Sequence, residues 1–321
     1  MKYYLGVDLG GTNIAAGVVD EQYNVIAQKS VPTKAGRSVA AIVKDIADLS
    51  LSVSQEVGLT MSDFSSWGIG TPSYVDPKTR LLVHVNNLGW KNIPIFDYLK
   101  QYTDIPIYIE NDANCAALGE ALAGAAKDHD NVIMLTLGTG VGGGVILNNR
   151  VYSGADMLGA ELGHTKLVFN GEKCTCGQRG CMESYCSATA LIRHAKEAIT
   201  AYPDSLIWQL CDKDLDNISA KTVFDAKAQG DIYAKHLIEQ YIEYLAGGLS
   251  TFVTIFRPEI IILGGGVAQA GDVLLGPLQE KLFNNTFAAE QIGVPPIVKA
   301  KLGNEAGIIG AAFLERHADR R

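Results

Sequence analysis

An internal repeat restricts this chain more than any single motif. Leu5-Gly6-Val7-Asp8-Leu9-Gly10-Gly11 returns 128 positions later as Ile133-Met134-Leu135-Thr136-Leu137-Gly138-Thr139. The segments that follow also correspond, Gly17-Val18-Val19-Asp20 with Val145-Ile146-Leu147-Asn148. Each copy reads as apolar strand, glycine turn, strand, polar turn, strand, the pattern of an antiparallel meander. Two explanations fit. The chain is a duplicated α/β domain whose halves face each other across a cleft, or two glycine hairpins share a pattern by chance.

The length allows the duplication. At roughly 150 residues per domain, 321 residues suggest two domains. Apolar residues at helical spacing (Ile42, Ile46, Leu49, Val53, Val57) predict a helix over Ser38 to Val57. Trp67 to Gly70 and Ile105 to Ile109 read as strands, and an Ala-rich helix follows over Ala113 to Ala126. Ile238, Tyr241, Ile242, Leu245, Leu249 and Phe252 mark a long amphipathic helix. Glu259 to Leu263 reads as a buried strand, and Ala306 to Arg316 as the last helix. Ala201 to Asn217 shows the least pattern and reads as a surface excursion.

Three glycine turns sit at strand ends, at residues 10–13, 138–144 and 264–266. Glycine lets the backbone approach phosphate closely, and successive N–H groups in such turns form anion nests. Any one such turn can simply close a hairpin; three in one chain point to a nucleotide. Gly138-Thr139-Gly140-Val141-Gly142-Gly143 matches G-x-G-x-x-G, but a dinucleotide site needs a helix directly after it. Val145-Ile146-Leu147-Asn148-Asn149 reads instead as strand and turn, which argues against a dehydrogenase. No G-x-x-x-x-G-K-[ST] occurs. A nucleotide triphosphate here would rely on backbone nests and a metal, with Asp8 the partner for hydrated Mg²⁺.

The formal charge is −8, with no Lys/Arg run. That argues against a nucleic-acid partner. No run reaches the roughly 18 apolar residues needed to span a bilayer, and the N-terminal residues lack a signal-peptide pattern. The expected setting is the cytoplasm. Its reducing conditions make metal binding likelier than disulfides for clustered cysteines. Cys174-Thr175-Cys176-Gly177-Gln178-Arg179-Gly180-Cys181 places three thiols within eight residues, bent by two glycines. Zn²⁺ with sulfur and nitrogen ligands suits them. Spacing leaves the fourth ligand open between His164 and Cys186.

Asp112 lies just past a strand end, where open α/β sheets place ligands. It can accept a proton from an attacking hydroxyl. Asn111 or Asp112 can equally cap the following helix. Glu161 and Glu183 flank the cysteine cluster, and carboxylates accept hydrogen bonds from paired sugar hydroxyls.

These motifs together resemble the ROK family of repressors, open reading frames and sugar kinases. They are Asp8-x-Gly10-Gly11-Thr12-Asn13, Glu110-Asn111-Asp112-Ala113-Asn114, Thr136-Leu137-Gly138-Thr139-Gly140, Glu161-x-Gly163-His164, Cys174-x-Cys176-Gly177-x-x-Gly180-Cys181-x-Glu183 and Leu263-Gly264-Gly265-Gly266. The resemblance runs from about residue 4 to 312. It is strongest to the family's bacterial glucokinases.

The resemblance implies a duplicated RNase H-like, actin/hexokinase-type two-lobed α/β fold with an interlobe cleft. The lobes would be residues 1–113 with 306–321, and 114–305 with a zinc-binding segment at 161–186. It implies an ATP:hexose 6-phosphotransferase, with glucose first among acceptors. Fructose, N-acetylmannosamine, N-acetylglucosamine, allose and mannose are alternatives. Asp112 matches the catalytic base. Gly70, Asn87, Asn111, Asp112, Glu161, His164 and Glu183 match sugar-binding positions. Asp8, Gly10, Gly11, Thr12, Asn13, Thr136, Gly138, Thr139, Gly140, Gly264, Gly265 and Gly266 match contacts to ATP and Mg²⁺. His164, Cys174, Cys176 and Cys181 match the ligands of a structural Zn²⁺, which favours His164 over Cys186. Asn87-Leu88-Gly89-Trp90 resembles the segment that closes over the sugar. Thr165-Lys166-Leu167 is the one departure, and it leaves the choice of hexose open. Family precedent implies a homodimer or a dimer of dimers, while the acidic charge and the lack of a long apolar run argue against a nucleic-acid or membrane partner. Family repressors carry a helix-turn-helix extension, whereas this acidic chain begins on its first strand at Tyr3.

Overall fold

A computed structural model describes residues 2–317. Strands β1 (Tyr3–Leu9), β2 (Asn13–Asp20) and β3 (Val25–Pro32) form the first meander. Helix α1 (Val39–Glu56) follows, its first turn capped by the Ser38 hydroxyl, which accepts from Ala41 N. Next come β4 (Trp67–Thr71), the hairpin of β5 (Leu82–Val85) and β6 (Trp90–Ile93), and the short α2 (Ile95–Leu99). β7 (Ile107–Asn111) leads without a break into α3 (Asp112–Ala123). β7 begins later than the expected Ile105, since Pro106 has no N–H to give a ladder.

The second meander is β8 (Val132–Leu137), β9 (Val141–Leu147) and β10 (Arg150–Val151). Helices α4 (Glu183–Cys186), α5 (Ala188–Ala201), α6 (Leu206–Leu210), α7 (Ala220–Ala228) and α8 (Ile232–Phe256) follow. Then come β11 (Ile260–Gly264), α9 (Asp272–Asn285), α10 (Ala289–Ile292), β12 (Ile297–Lys299), α11 (Glu305–Ala312) and α12 (Leu314–His317). The stretch expected to be irregular thus contains α6, too short for a periodic signal. Its start is held by Asp231, which accepts from Ser205 Oγ at 2.8 Å.

The repeat is real in topology. The first sheet has strand order β3-β2-β1-β4-β7 and the second β10-β9-β8-β11-β12. Each takes three meander strands in reverse order and then adds two later strands on the far side. Chance resemblance of two hairpins would not reproduce the fourth and fifth positions.

The chain divides into two compact units. One comprises residues 1–133, 144–160 and 301–321, the other residues 134–143 and 161–300. These bounds differ from the lobes expected above, 1–113 with 306–321 and 114–305. Residues 1 and 318–321 of that expectation lie outside the described residues. The difference arises from helix packing. α3 lies against α11 with almost no side chain between them: a methyl group on Gly119 would overlap the Ala306 carbonyl, and one on Gly310 the Cys115 carbonyl. Backbones that close keep all of α3 in the first unit.

Within that unit, β1 alternates strictly. Leu5, Val7 and Leu9 pack with Ile42, Val43, Ile46, Leu49 and Val53 of α1. Tyr4 faces the other side, with Ile308, Ile309, Ala312 and Phe313. Gly6 and Gly68 lie under α11, where any side chain would strike the helix backbone. Asp8 shares the face of Tyr4 and Gly6. In the second unit α8 supplies the core, with Ile238, Tyr241, Ile242, Leu245, Leu249 and Phe252 all buried. Among the described residues, no helix is long and apolar enough to cross a membrane.

Candidate active site

The first unit brings three strand ends side by side. Asp8 on β1 stands opposite Gly70 on β4, and Thr71 opposite Asn111 on β7. α3 starts at that edge. Asn111 is its N-cap: Oδ1 accepts from Ala113 N at 2.9 Å and Asn114 N at 3.2 Å. Asp112 is the first helical residue, and its Oδ1 also accepts from Ala113 N, at 2.8 Å. Capping therefore falls to Asn111, and Asp112 is pinned by one oxygen. Behind them Glu110 is buried, and its Oε1 accepts from Asn111 N at 2.8 Å and Asn114 Nδ2 at 3.0 Å.

Burial raises the pKa of Asp112, and the Ala113 N–H partly offsets the rise. Asp8 is pushed up to about 6, first by burial and then by the neighbouring charge of Asp112. Two carboxylates of like charge in a poorly solvated place disfavour joint ionisation. A carboxylate such as that of Asp8 is the kind of oxygen donor a hard divalent cation takes. Gly70 is buried beneath the two carboxylates: a methyl group there would sit 3.2 Å from Cys115 Sγ and 3.6 Å from Asp112 Cα.

The turn at residues 10–13 closes with Gly10 N donating to Asn13 O at 2.9 Å. Thr33, the residue after β3, braces it, its hydroxyl donating to Gly10 O at 2.7 Å. A cavity of about 510 Å³ opens here, lined by Asp8, Gly10, Gly11, Thr12, Asn13 and Asn304 among others. The Asn87 side chain lies against Gly11, where an added methyl would come within 2.9 Å of its Cβ. Leu88 and Trp90, both buried, anchor that segment.

The second unit gathers the remaining expected residues. Thr136 stands on β8 next to the turn at 138–140, which closes with Gly138 N to Gly140 O at 3.0 Å. The start of α5 clamps this turn. Ala188 N donates to Gly138 O and the Thr189 hydroxyl to Thr139 O, both at 2.8 Å. Gly265 is left-handed at φ 82°, and its α-carbon abuts the Leu137 backbone. The turns at 138–140 and 264–266 are therefore neighbours. Glu183, at the start of α4, reaches the first of them: its Oε2 accepts from Val141 N at 3.1 Å.

The cysteine loop folds back on itself. Leu167 N donates to Gly180 O at 2.8 Å and Met182 N to Thr165 O at 2.9 Å. Gly177 and Gly180 take left-handed conformations at its bends. The ligand atoms of His164, Cys174, Cys176 and Cys181 all lie within 4.8 Å of one another. Cys176 Sγ and Cys181 Sγ are 3.7 Å apart, and His164 Nδ1 lies 3.7 Å from Cys174 Sγ. Tetrahedral zinc requires about 3.8 Å between sulfurs and about 3.6 Å between sulfur and nitrogen, so this donor set fits. Cys186 is outside the group, fully buried, with its thiol pKa raised by that burial. The Lys166 ammonium donates to Arg179 O at 2.7 Å and lies 3.8 Å from Cys181 Sγ. It is engaged by the cysteine loop. Glu161 is exposed and opens the turn that carries His164, whose N–H donates to Glu161 O at 3.0 Å.

Glu110, Thr175 and Thr189 carried no role in the sequence reading. Ser187-Ala188-Thr189 before an apolar helical run is the signal that marks the α5 cap; nothing local marks the other two.

The ROK family model matches residues 4–318. This chain belongs to the ROK family. It is 37% identical to a glucokinase of Thermotoga maritima, over 97% of this chain and 96% of that protein. A Streptomyces griseus ROK family glucokinase, solved with glucose and AMPPNP, superposes with a TM-score of 0.80 at 36% identity, covering 97% of this chain and 98% of the other. The ROK hexokinase of Thermus thermophilus gives 0.83 at 34% identity, covering 98% of each. With these matches, the expected duplicated RNase H-like, actin/hexokinase-type fold is the fold of this ROK chain.

Proposed function

We propose that this ROK protein transfers the γ-phosphoryl group of ATP to the 6-hydroxyl of glucose. One observation carries the reading: a half-buried carboxylate, Asp112, held at the first turn of a helix where a strand ends. Burial raises its pKa above that of an ordinary aspartate, which strengthens it as a proton acceptor. In the transfer, the sugar oxygen forms a bond to the γ-phosphorus and its proton passes to Asp112. The bond from that phosphorus to the bridging oxygen breaks, and ADP leaves with the electron pair. The glucokinase and hexokinase relatives support ATP and a hexose as substrates, with glucose first.

Asn111 caps α3 with Oδ1, and its amide nitrogen is the atom suited to a neighbouring hydroxyl. Glu161, Glu183 and His164 are assigned to further hydroxyls, with Asn87 and the backbone at Gly70. The turns at 10–13, 138–140 and 264–266, with Thr136, are assigned to the nucleotide. Asp8 would hold Mg²⁺, which in such reactions offsets phosphate charge. The four-ligand set of His164, Cys174, Cys176 and Cys181 would hold Zn²⁺ with no open position, so its role is structural. With Nδ1 turned to the cluster, His164 keeps Nε2 for the sugar. The same reading places the protein in the cytoplasm, in hexose metabolism, as a homodimer or a dimer of dimers.

A coupled ADP-release assay across glucose, fructose, mannose, allose, N-acetylglucosamine and N-acetylmannosamine tests the proposal. Glucose should give the highest kcat/KM. A higher value for another sugar would replace the acceptor, and no turnover with any would reject a hexose kinase.

A further inference from the structure

Glu183 is held by both of its oxygens. Oε2 takes the Val141 N–H, as described above. Oε1 accepts from the Thr175 hydroxyl at 2.8 Å. Thr175 lies between two of the clustered cysteines, in Cys174-Thr175-Cys176, and is itself exposed. Cys174 Sγ also approaches Oε1, at 3.5 Å. As a zinc-bound thiolate that sulfur has no proton to donate, so the Thr175 hydroxyl is the donor facing this oxygen from the cysteine loop. Thr175 Oγ1 lies 3.9 Å from Cys174 Sγ. A hydroxyl has one proton, and the carboxylate at 2.8 Å is the stronger acceptor.

We infer that Thr175 is a positioning residue for acceptor recognition: its hydroxyl fixes the carboxylate of Glu183 toward the paired hydroxyls of a pyranose. This rests on the reading of Glu183 as a sugar-binding residue. Without the hydroxyl, Oε1 loses its partner and the side chain turns about the remaining bond to Val141 N. The zinc loop thereby acts on the acceptor through two residues, His164 directly and Thr175 by way of Glu183. Because Thr175 is exposed, replacing its hydroxyl opens no core cavity.

The test compares Thr175→Val, Thr175→Ser and Glu183→Ala in the zinc-loaded enzyme, with zinc content measured by a colorimetric chelator. Thr175→Val should raise the KM for glucose about tenfold, the loss of one hydrogen bond to a charged group. The KM for ATP, the kcat at saturating glucose and the zinc content should stay at their wild-type values. Thr175→Ser keeps a hydroxyl at the same position and should restore the glucose KM. If Glu183→Ala weakens glucose while Thr175→Val does not, the positioning role is overturned and the Glu183 assignment stands. Should Glu183→Ala leave the glucose KM unchanged, the assignment beneath the inference is removed as well. Loss of zinc in Thr175→Val would also overturn it, by placing the effect at the metal.

Discussion

In the first sheet the strand before the glycine turn ends Asp8-Leu9-Gly10-Gly11; in the second, the corresponding strand ends Thr136-Leu137-Gly138-Thr139. The frames match strand for strand, yet one turn follows an ionisable group and the other a neutral hydroxyl. The turns are also held differently. That at residues 10–13 is braced by Thr33 from just past the end of β3 and opens onto a cavity. That at 138–140 is clamped by two bonds from the start of α5. A second pair shows the same contrast. Asn111-Asp112-Ala113 opens α3 with a full side-chain cap, whereas Asn304-Glu305-Ala306 opens α11 without a side-chain cap bond. Duplication copied the scaffold, and the two copies differ in the side chains placed at the shared turns and in how those turns are held.

The sharpest way to break this contrast is to neutralise both acids that follow an asparagine. Asp112→Asn should lower kcat by about 10²–10⁴-fold and leave glucose binding measurable by calorimetry. Glu305→Gln, which loses only an exposed contact to Gln28 Nε2 at 3.2 Å, should cost less than about threefold. Equal losses would erase the distinction.

Next in size is the pair at the turns. Asp8→Asn should cost on the order of a hundredfold in kcat, and Thr136→Ala less than about tenfold, in the KM for ATP. Asp8 also gives a stability test with a defined sign. Its pKa of about 6 in the folded chain lies above the ordinary 3.8, so ionising it costs folding free energy. That cost is absent below pH 4 and complete above pH 6. Asp8→Asn should therefore be more stable than wild type at pH 8, by about 1–3 kcal/mol, and equal to it at pH 4. Denaturant midpoints at the two pH values decide. The wild-type kcat/KM should correspondingly fall as pH drops through about 6.

Zinc sharpens the contrast from the other side, because the His/Cys cluster belongs to the second unit. Chelation, or Cys181→Ser, should lower Tm on the order of 10 °C. Hydrogen exchange should rise first at residues 161–186 and leave β1 to β4 protected. Early loss of protection in β1 would show that the two units do not respond separately. The smallest effect concerns Lys166, whose ammonium offsets thiolate charge at Cys181. Lys166→Met should speed zinc release to a chelator about tenfold with the glucose KM unchanged.

The sequence disclosed what depends on local pattern. Alternation in β1, the spacing of α8 and the strand-to-helix junction at Asp112 were all legible, because each is set by neighbours a few residues away. The grouping of His164 with the three cysteines, rather than Cys186, needed either the family resemblance or the fold. Glu120 shows why more was hidden. In sequence it is one more acid near a helix end. In the fold it is fully buried, and its Oε1 accepts from Lys301 N at 2.8 Å and Leu302 N at 2.7 Å, partners 181 and 182 positions away. Contacts at that separation leave no period to read. The bond from Thr175 to Glu183 was hidden for a different reason: a hydroxyl inside a cysteine motif looks like a spacer.

The seam between α3 and α11 has a consequence for how such a chain diversifies. Gly119 and Gly310 let carbonyl meet α-carbon there, so the address of Asp112 is written in main-chain atoms. Segments such as 87–90 and 165–167 can drift toward new acceptors without disturbing that address. The glycines themselves cannot drift, since even alanine would wedge the two helices apart.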